Sequence, residues 1–126
     1  MLILDSGAIT KLANRSTREL ALFQALQKRG TEQPVIPTIV IAECLTGSPT
    51  RDARTNQFIK LYRRDPIIPE RIARRAAELR TKAGKGSAVD ALLVALAEPQ
   101  GIVLTTDKED ISALAANAHG VSVTAI

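Results

Sequence analysis

Five aliphatic runs, each too short to be a helix, punctuate this chain and are separated by stretches of helical periodicity. They are Met1 to Leu4, Val35-Ile36, Ile67-Ile68, Ile102 to Thr105 and Val121 to Thr124. An apolar run without polar alternation reads as a strand covered on both faces, as strands of parallel sheets are. Val35-Ile36 and Ile67-Ile68 each sit between prolines, which keeps them very short. The intervening segments read as helices. Ser16-Thr17-Arg18-Glu19 has capping-box spacing and predicts a helix to about Arg29, with Gly30 as its stop. Thr38 caps IVIAECLT, which Gly47 ends, and Ser48-Pro49 opens a helix continuing to about Arg64. Over Glu70 to Lys82, Ile72, Ala76, Leu79 and Ala83 recur at helical spacing. Gly84-Lys85-Gly86 breaks the chain before SAVDALLVALA, and Ile111, Leu114, Ala115 and Ala118 mark a last helix stopped at Gly120. This alternation predicts one α/β domain over residues 1–126, with three α/β/α layers around a short-stranded, mainly parallel sheet. In such sheets ligands sit beyond the carboxyl ends of the strands, where strand order reverses.

Composition removes several classes of function. No apolar run approaches the ~20 residues of a membrane span. MLILD meets an acid at position 5, unlike a signal peptide. The single Cys44 cannot form an internal disulfide, which fits a reducing cytoplasm. The expectation is a soluble cytoplasmic protein without a membrane partner. Its net charge of +4 conceals an asymmetry: residues 51–85 carry eleven basic and four acidic side chains, so that stretch is +7 and the remainder −3. A basic middle on an acidic chain suggests a polyanionic partner, although a pair of solvated helix faces gives the same pattern.

The acids are the candidate functional residues. Asp90 lies within SAVDALLVALA, on a face shared with Leu93, Val94 and Ala97. Its spacing from Ser87 allows a helix cap, but a cap does not explain a carboxylate pointing toward the core. Asp5 directly follows Leu2-Ile3-Leu4, either as a helix cap or as a site residue. Glu43 interrupts another largely apolar helix, so it occupies a narrow wet stripe or faces a cation. In TTDKED, Asp107 is nearest the strand end, Asp110 is the second candidate, and Glu109 is expected to face water. Gathered at one sheet edge, such carboxylates repel by ~4 kcal/mol per pair at ~4 Å and an effective dielectric near 20, and so need a cation. Hard oxygen donors without partnering His or Cys favour Mg²⁺ or Mn²⁺ over zinc, and an ion held this way suits phosphodiester chemistry.

LILDSG, TIVIAECLTG, AVDALLVALAE and VLTTDKEDISALA, in this order and across essentially the whole chain, resemble the PIN-domain nucleases, specifically the VapC toxins of VapBC toxin–antitoxin pairs. The resemblance implies a PIN-like fold and an acidic metal site of Asp5, Glu43, Asp90 and Asp107. It also implies Asp110 as a further acid, with Ser6 and Thr105 supplying supporting hydroxyls. Gly7 and Ile111 depart from the family pattern, where a small polar residue and Phe are more usual. The implied reaction is Mg²⁺- or Mn²⁺-dependent endonucleolytic cleavage of RNA; from the chemistry of such a site, Asp90 or Asp107 is expected to take a proton from the attacking water. Arg71, Arg74, Arg75 and Lys82 would grip the RNA backbone without selecting a sequence. With two Phe, one Tyr and no Trp, base stacking is not the expected source of specificity. A VapB-type antitoxin and a toxin homodimer are implied as well. The alternative is an inactive PIN-like module that only binds RNA or protein. A phosphoacceptor receiver domain fits less well, because Asp5 stands alone after the first strand. A haloacid-dehalogenase-type phosphatase would need a second Asp at position 7, which is Gly.

Overall fold

The computed structural model describes residues 1–14, 17–29 and 33–126. Strands β1 (Leu2–Leu4), β2 (Val35–Pro37), β3 (Arg63–Asp65), β4 (Ile102–Thr105) and β5 (Ser122–Ala125) form one sheet in the order β3-β2-β1-β4-β5, and every pairing is parallel. Among the described residues the helices are α1 (Ser6–Ala13), α2 (Thr17–Arg29), α3 (Thr38–Cys44), α4 (Ala53–Lys60), α5 (Glu70–Ala83), α6 (Ala88–Ala97) and α7 (Lys108–Ala115). The three-layer α/β/α fold is as expected from the alternation, with a wholly parallel sheet. None of these helices is long and apolar enough to cross a membrane.

Strand order reverses between β1 and β4. The chain steps outward through β2 to β3, returns past β1 to β4, and then steps to β5. Right-handed crossovers running in opposite directions place their helices on opposite faces. Accordingly α1 packs with α2, α3 and α4, while α5, α6 and α7 pack with one another. The central register Leu2↔Ile102, Ile3↔Val103, Leu4↔Leu104 is aliphatic throughout, and Ile3, Leu4, Val103 and Leu104 are fully buried. Covered on both faces, these strands have no polar side to alternate with.

The edges differ from expectation. The third strand is Arg63-Arg64-Asp65, not Ile67-Ile68, and Ile67 is 71% exposed. An edge strand with neither face covered needs no apolar run, whereas Pro66 lacks the N–H a ladder requires. The segment expected to be helical from Ser48 to Arg64 is helical only over α4. Its start is delayed because the Asp52 carboxylate turns back to accept from the Thr46 N–H (3.0 Å), the Thr46 hydroxyl (2.9 Å) and the Gly47 N–H (2.9 Å). Helix α3 begins at Thr38 with Pro37 in the cap position, so Thr38 is its first residue and not its cap. The Ser16 start and Gly30 stop expected for α2 lie outside the described residues. Helix α5 ends as expected, at Gly84 in the left-handed conformation (φ 68°).

Candidate metal centre

Three acids reach the sheet edge through helix starts. Asp5 follows β1 and caps α1, its Oδ1 accepting from the Ala8 N–H at 2.7 Å. Asp107 follows β4 and caps α7, accepting from the Asp110 N–H at 3.3 Å. Asp90 closes a capping box on α6: its Oδ2 accepts from the Ser87 N–H at 3.1 Å, while Ser87 Oγ accepts from the Asp90 N–H at 3.0 Å. Capping and clustering therefore coexist here. Each N-terminus offers free N–H groups and the positive end of a helix dipole, which makes carboxylates tolerable where they crowd. Because α1 and α7 leave adjacent strands toward opposite faces, their caps flank the crevice at the switch point.

Thr105 joins two of these acids. Fully buried at the end of β4, it donates its hydroxyl hydrogen to Asp5 Oδ2 and accepts from the Asp107 N–H at 2.8 Å. Asp5 is itself buried, and burial raises its pKa above the ordinary aspartate range. The Thr105 hydroxyl and the Ala8 and Thr106 N–H groups act in the opposite direction, while the charge of Asp90 raises it further. Glu43 stands on the exposed side of α3, so that helix is less enclosed than its apolar sequence suggests. Its pKa is raised by partial desolvation, then by the charges of Asp90 and Asp5. Asp90, Asp107 and Asp110 bring carboxylate oxygens within 4.8 Å of one another. Asp90 thus belongs both to the electrostatic group with Asp5 and Glu43 and to the close group with Asp107 and Asp110. Ser6 lies beside Asp5, and its carbonyl accepts from the Thr10 hydroxyl (3.0 Å) and the Cys44 thiol (3.6 Å). Burial, then the charges of Glu43 and Asp5, push the Cys44 thiol up to about 12, so it is no nucleophile at neutral pH.

The donor set fits a small hard cation. Oxygens on one octahedral ion at ~2.1 Å lie ~3 to ~4.2 Å apart, so the observed spacing needs only a slight closing of side chains. Carboxylates without His or thiolate match Mg²⁺ or Mn²⁺.

The basic residues divide. Arg75, 19% exposed, gives its Nε to both oxygens of Glu98 (2.9 and 3.2 Å), an NH2 to the Asn117 carbonyl (3.2 Å) and its NH1 to Glu78 (3.0 Å). Glu98 follows the last turn of α6, eight residues beyond Asp90, so this knot lies ~12 Å along the helix from the acids. Arg71 and Arg74 share that far end of α5, with Arg74 paired to Glu70 (3.5 Å). Lys82 lies near the acidic end and pairs with Glu78 (2.9 Å). Sequence supplies the charge and face of α5 but not which of its ends meets the acids; the antiparallel packing of α5 on α6 settles that.

Asp52 and Lys85 escaped the sequence reading, and the departure at Gly7 finds its reason here. Position 7 is glycine where Thr106 occupies the space of a side chain: a Cβ there would lie 1.8 Å from Thr106 Oγ1 and 2.9 Å from its Cβ. Asp52 ties down the loop after the helix that carries Glu43. Lys85 reaches Glu109 (2.7 Å) and Asp110 (3.6 Å), and its only sequence signal is its place between two glycines just before the Asp90 helix.

The fold and this switch-point cluster define a known class. Residues 2–117 match the PIN domain, and the chain belongs to that family, whose members are generally nucleases. Solved structures share its fold. A toxin-antitoxin complex from Klebsiella pneumoniae aligns with a TM-score of 0.69 and 19% identity over 96% of this chain and 95% of that one. FitAB bound to an IR36 DNA fragment aligns at 0.72 and 22%, over 99% and 94%. FitAcB from Neisseria gonorrhoeae aligns at 0.67 and 20%, over 98% and 96%. No relative among curated proteins matches the chain.

Proposed function

We propose that this PIN domain is a Mg²⁺- or Mn²⁺-dependent endoribonuclease, the toxin of a toxin–antitoxin pair acting in the cytoplasm. The observation that carries the reading is the meeting of Asp90, Asp107 and Asp110 within 4.8 Å, with Asp5 and Glu43 electrostatically coupled to Asp90 at the same rim. A divalent ion bound there supplies an activated water and offsets charge on the phosphate. Asp5, Asp90 and Asp107 are the ligands on this reading, with Glu43 completing the acidic set. Thr105 orients Asp5 and Asp107 together through its two hydrogen bonds. Asp90 and Asp107 each have one oxygen in a cap and the other for the ion or for a proton.

RNA fits as substrate because backbone contacts need only cations. Arg71, Arg74 and Lys82 are exposed along α5, a span of ~17 Å leading away from the acids. Arg75 is left out of that role on this reading, because Glu98, Glu78 and the Asn117 carbonyl already take its donors. The three aromatic side chains pack on one another, with ring centroids 4.9 to 6.1 Å apart, and so are not a stacking platform for bases. The toxin–antitoxin reading, with a VapB-type antitoxin and a homodimer, draws on the Klebsiella pneumoniae neighbour, which is described as a toxin-antitoxin complex. The test is cleavage of cellular RNA by purified protein with and without Mn²⁺. Wild type should cut only with the ion, and a folded Asp90→Asn variant should not cut. Undiminished cleavage by that variant overturns the proposal.

A further inference from the structure

Lys85 stands on a loop built to hold it. Gly84 (φ 68°) and Gly86 (φ 92°) on either side both adopt the left-handed conformation that side chains resist. Gly86 is pressed against α7, where an added Cβ would meet Leu114 Cδ1 at 2.7 Å, and its carbonyl accepts from Arg80 Nε at 3.4 Å. This pinned loop delivers the ammonium to the rim of the acidic cluster, 2.7 Å from Glu109 Oε1 and 3.6 Å from Asp110 Oδ1. Asp110 is itself within 4.8 Å of Asp90 and Asp107, so the ammonium sits within about a Debye length, on the order of 8 Å, of both. Glu109, by sequence an ordinary solvent-facing acid, acts as the second anchor of that lysine.

We propose that Lys85 is a resident counter-cation of the acidic rim, a positioning residue that engages Asp110 and opposes an incoming divalent ion, thereby setting how tightly the site holds metal. This rests on the metal-site reading above. A single positive charge several ångströms from a divalent ion, in a water-like dielectric and at physiological salt, changes ion affinity about three- to tenfold. An exposed lysine has no packing role that would produce such a change. Its ion pairs with surface acids add little stability, so variants at this position should fold.

The test is Mn²⁺ titration of the purified full chain, by calorimetry and by the electron paramagnetic resonance signal of free Mn²⁺. Lys85→Met should bind Mn²⁺ about three- to tenfold more tightly than wild type, and the gain should shrink as potassium chloride is added. Lys85→Arg, which keeps the charge, should bind as wild type does. Equal or weaker binding by a folded Lys85→Met variant overturns the inference, as does a Lys85→Arg variant that behaves like Lys85→Met. A separate outcome concerns the site itself. If wild type binds Mn²⁺ no better than Asp90→Asn, the metal site is wrong and the role of Lys85 goes with it. If Asp90→Asn loses binding while Lys85→Met matches wild type, only the role of Lys85 is refuted.

Discussion

Replacing Asp90 with Asn should make the metal-free protein more stable and the metal-loaded protein less so. Asp90 has Asp107 and Asp110 oxygens within 4.8 Å, a separation at which two charges repel by ~0.9 kcal/mol in bulk water and ~3.5 kcal/mol at an effective dielectric of 20. Asp107 is exposed, so the lower figure governs, and relief from two neighbours is about 2 kcal/mol. Asn keeps an oxygen to accept from the Ser87 N–H, and the weaker neutral cap, together with the Lys85 ammonium that already offsets Asp110, reduces the gain to about 1 kcal/mol. For a chain of this length that raises Tm by roughly 3–5 °C. The assay is thermal unfolding followed by circular dichroism, first with a chelator and then with excess Mn²⁺. In chelator Asp90→Asn should melt above wild type. With Mn²⁺ at a hundredfold its Kd, wild type gains about 2.7 kcal/mol while the variant gains little, and the order reverses. If the variant melts below wild type in chelator and both respond equally to Mn²⁺, the carboxylates are not crowded around a shared ion.

Three further outcomes test other parts of the structure. Glu43 has a raised pKa when folded, so the folded state holds more protons than the unfolded one; this group's stabilisation is present at low pH and lost as pH rises through its folded pKa. In chelator, therefore, wild type should lose stability relative to Glu43→Gln as pH rises above about 4.5, and a constant difference in urea midpoints across that window contradicts the coupling. Arg75→Met should cost about 2 kcal/mol by stranding half-buried Glu98, whereas Arg71→Glu with Arg74→Glu should leave urea midpoints nearly unchanged and flatten the salt dependence of RNA binding; equal destabilisation by both would refute this division of the basic face. Gly7→Ala should cost about 1–3 kcal/mol by driving a methyl into Thr106, and Thr106→Gly should restore most of it; additive losses in a double-mutant cycle would show that the two positions are not in contact.

The layered architecture was legible because central parallel strands must be apolar on both faces. LIL and IVLT announce themselves for that reason, and SAVDALLVALA must be buried to be soluble. The edge strand Arg63-Arg64-Asp65 carried no such mark, since an uncovered strand is under no hydrophobic constraint, and Ile67-Ile68 drew the assignment to itself. The same asymmetry holds at the candidate site. Asp5, Glu43, Asp90 and Asp107 stood out because a carboxylate in an apolar context needs a reason, and Asp110 stood out by its place after a strand end. Sequence likewise marked the basic stretch as one unit, from composition alone.

Tertiary structure decided what depends on direction and distance. The antiparallel packing of α5 on α6 sent Arg75 to Glu98 and Asn117 and left Arg71 and Arg74 far from the acids, a choice that net charge cannot encode. Tertiary packing elsewhere seated Thr106 over Gly7 and brought Lys85 to Asp110, contacts between segments distant in the chain. Burial pattern is a local property that each segment carries along its own length. Which side chains neutralise one another is a property of how segments pack, and it exists only once the chain has folded.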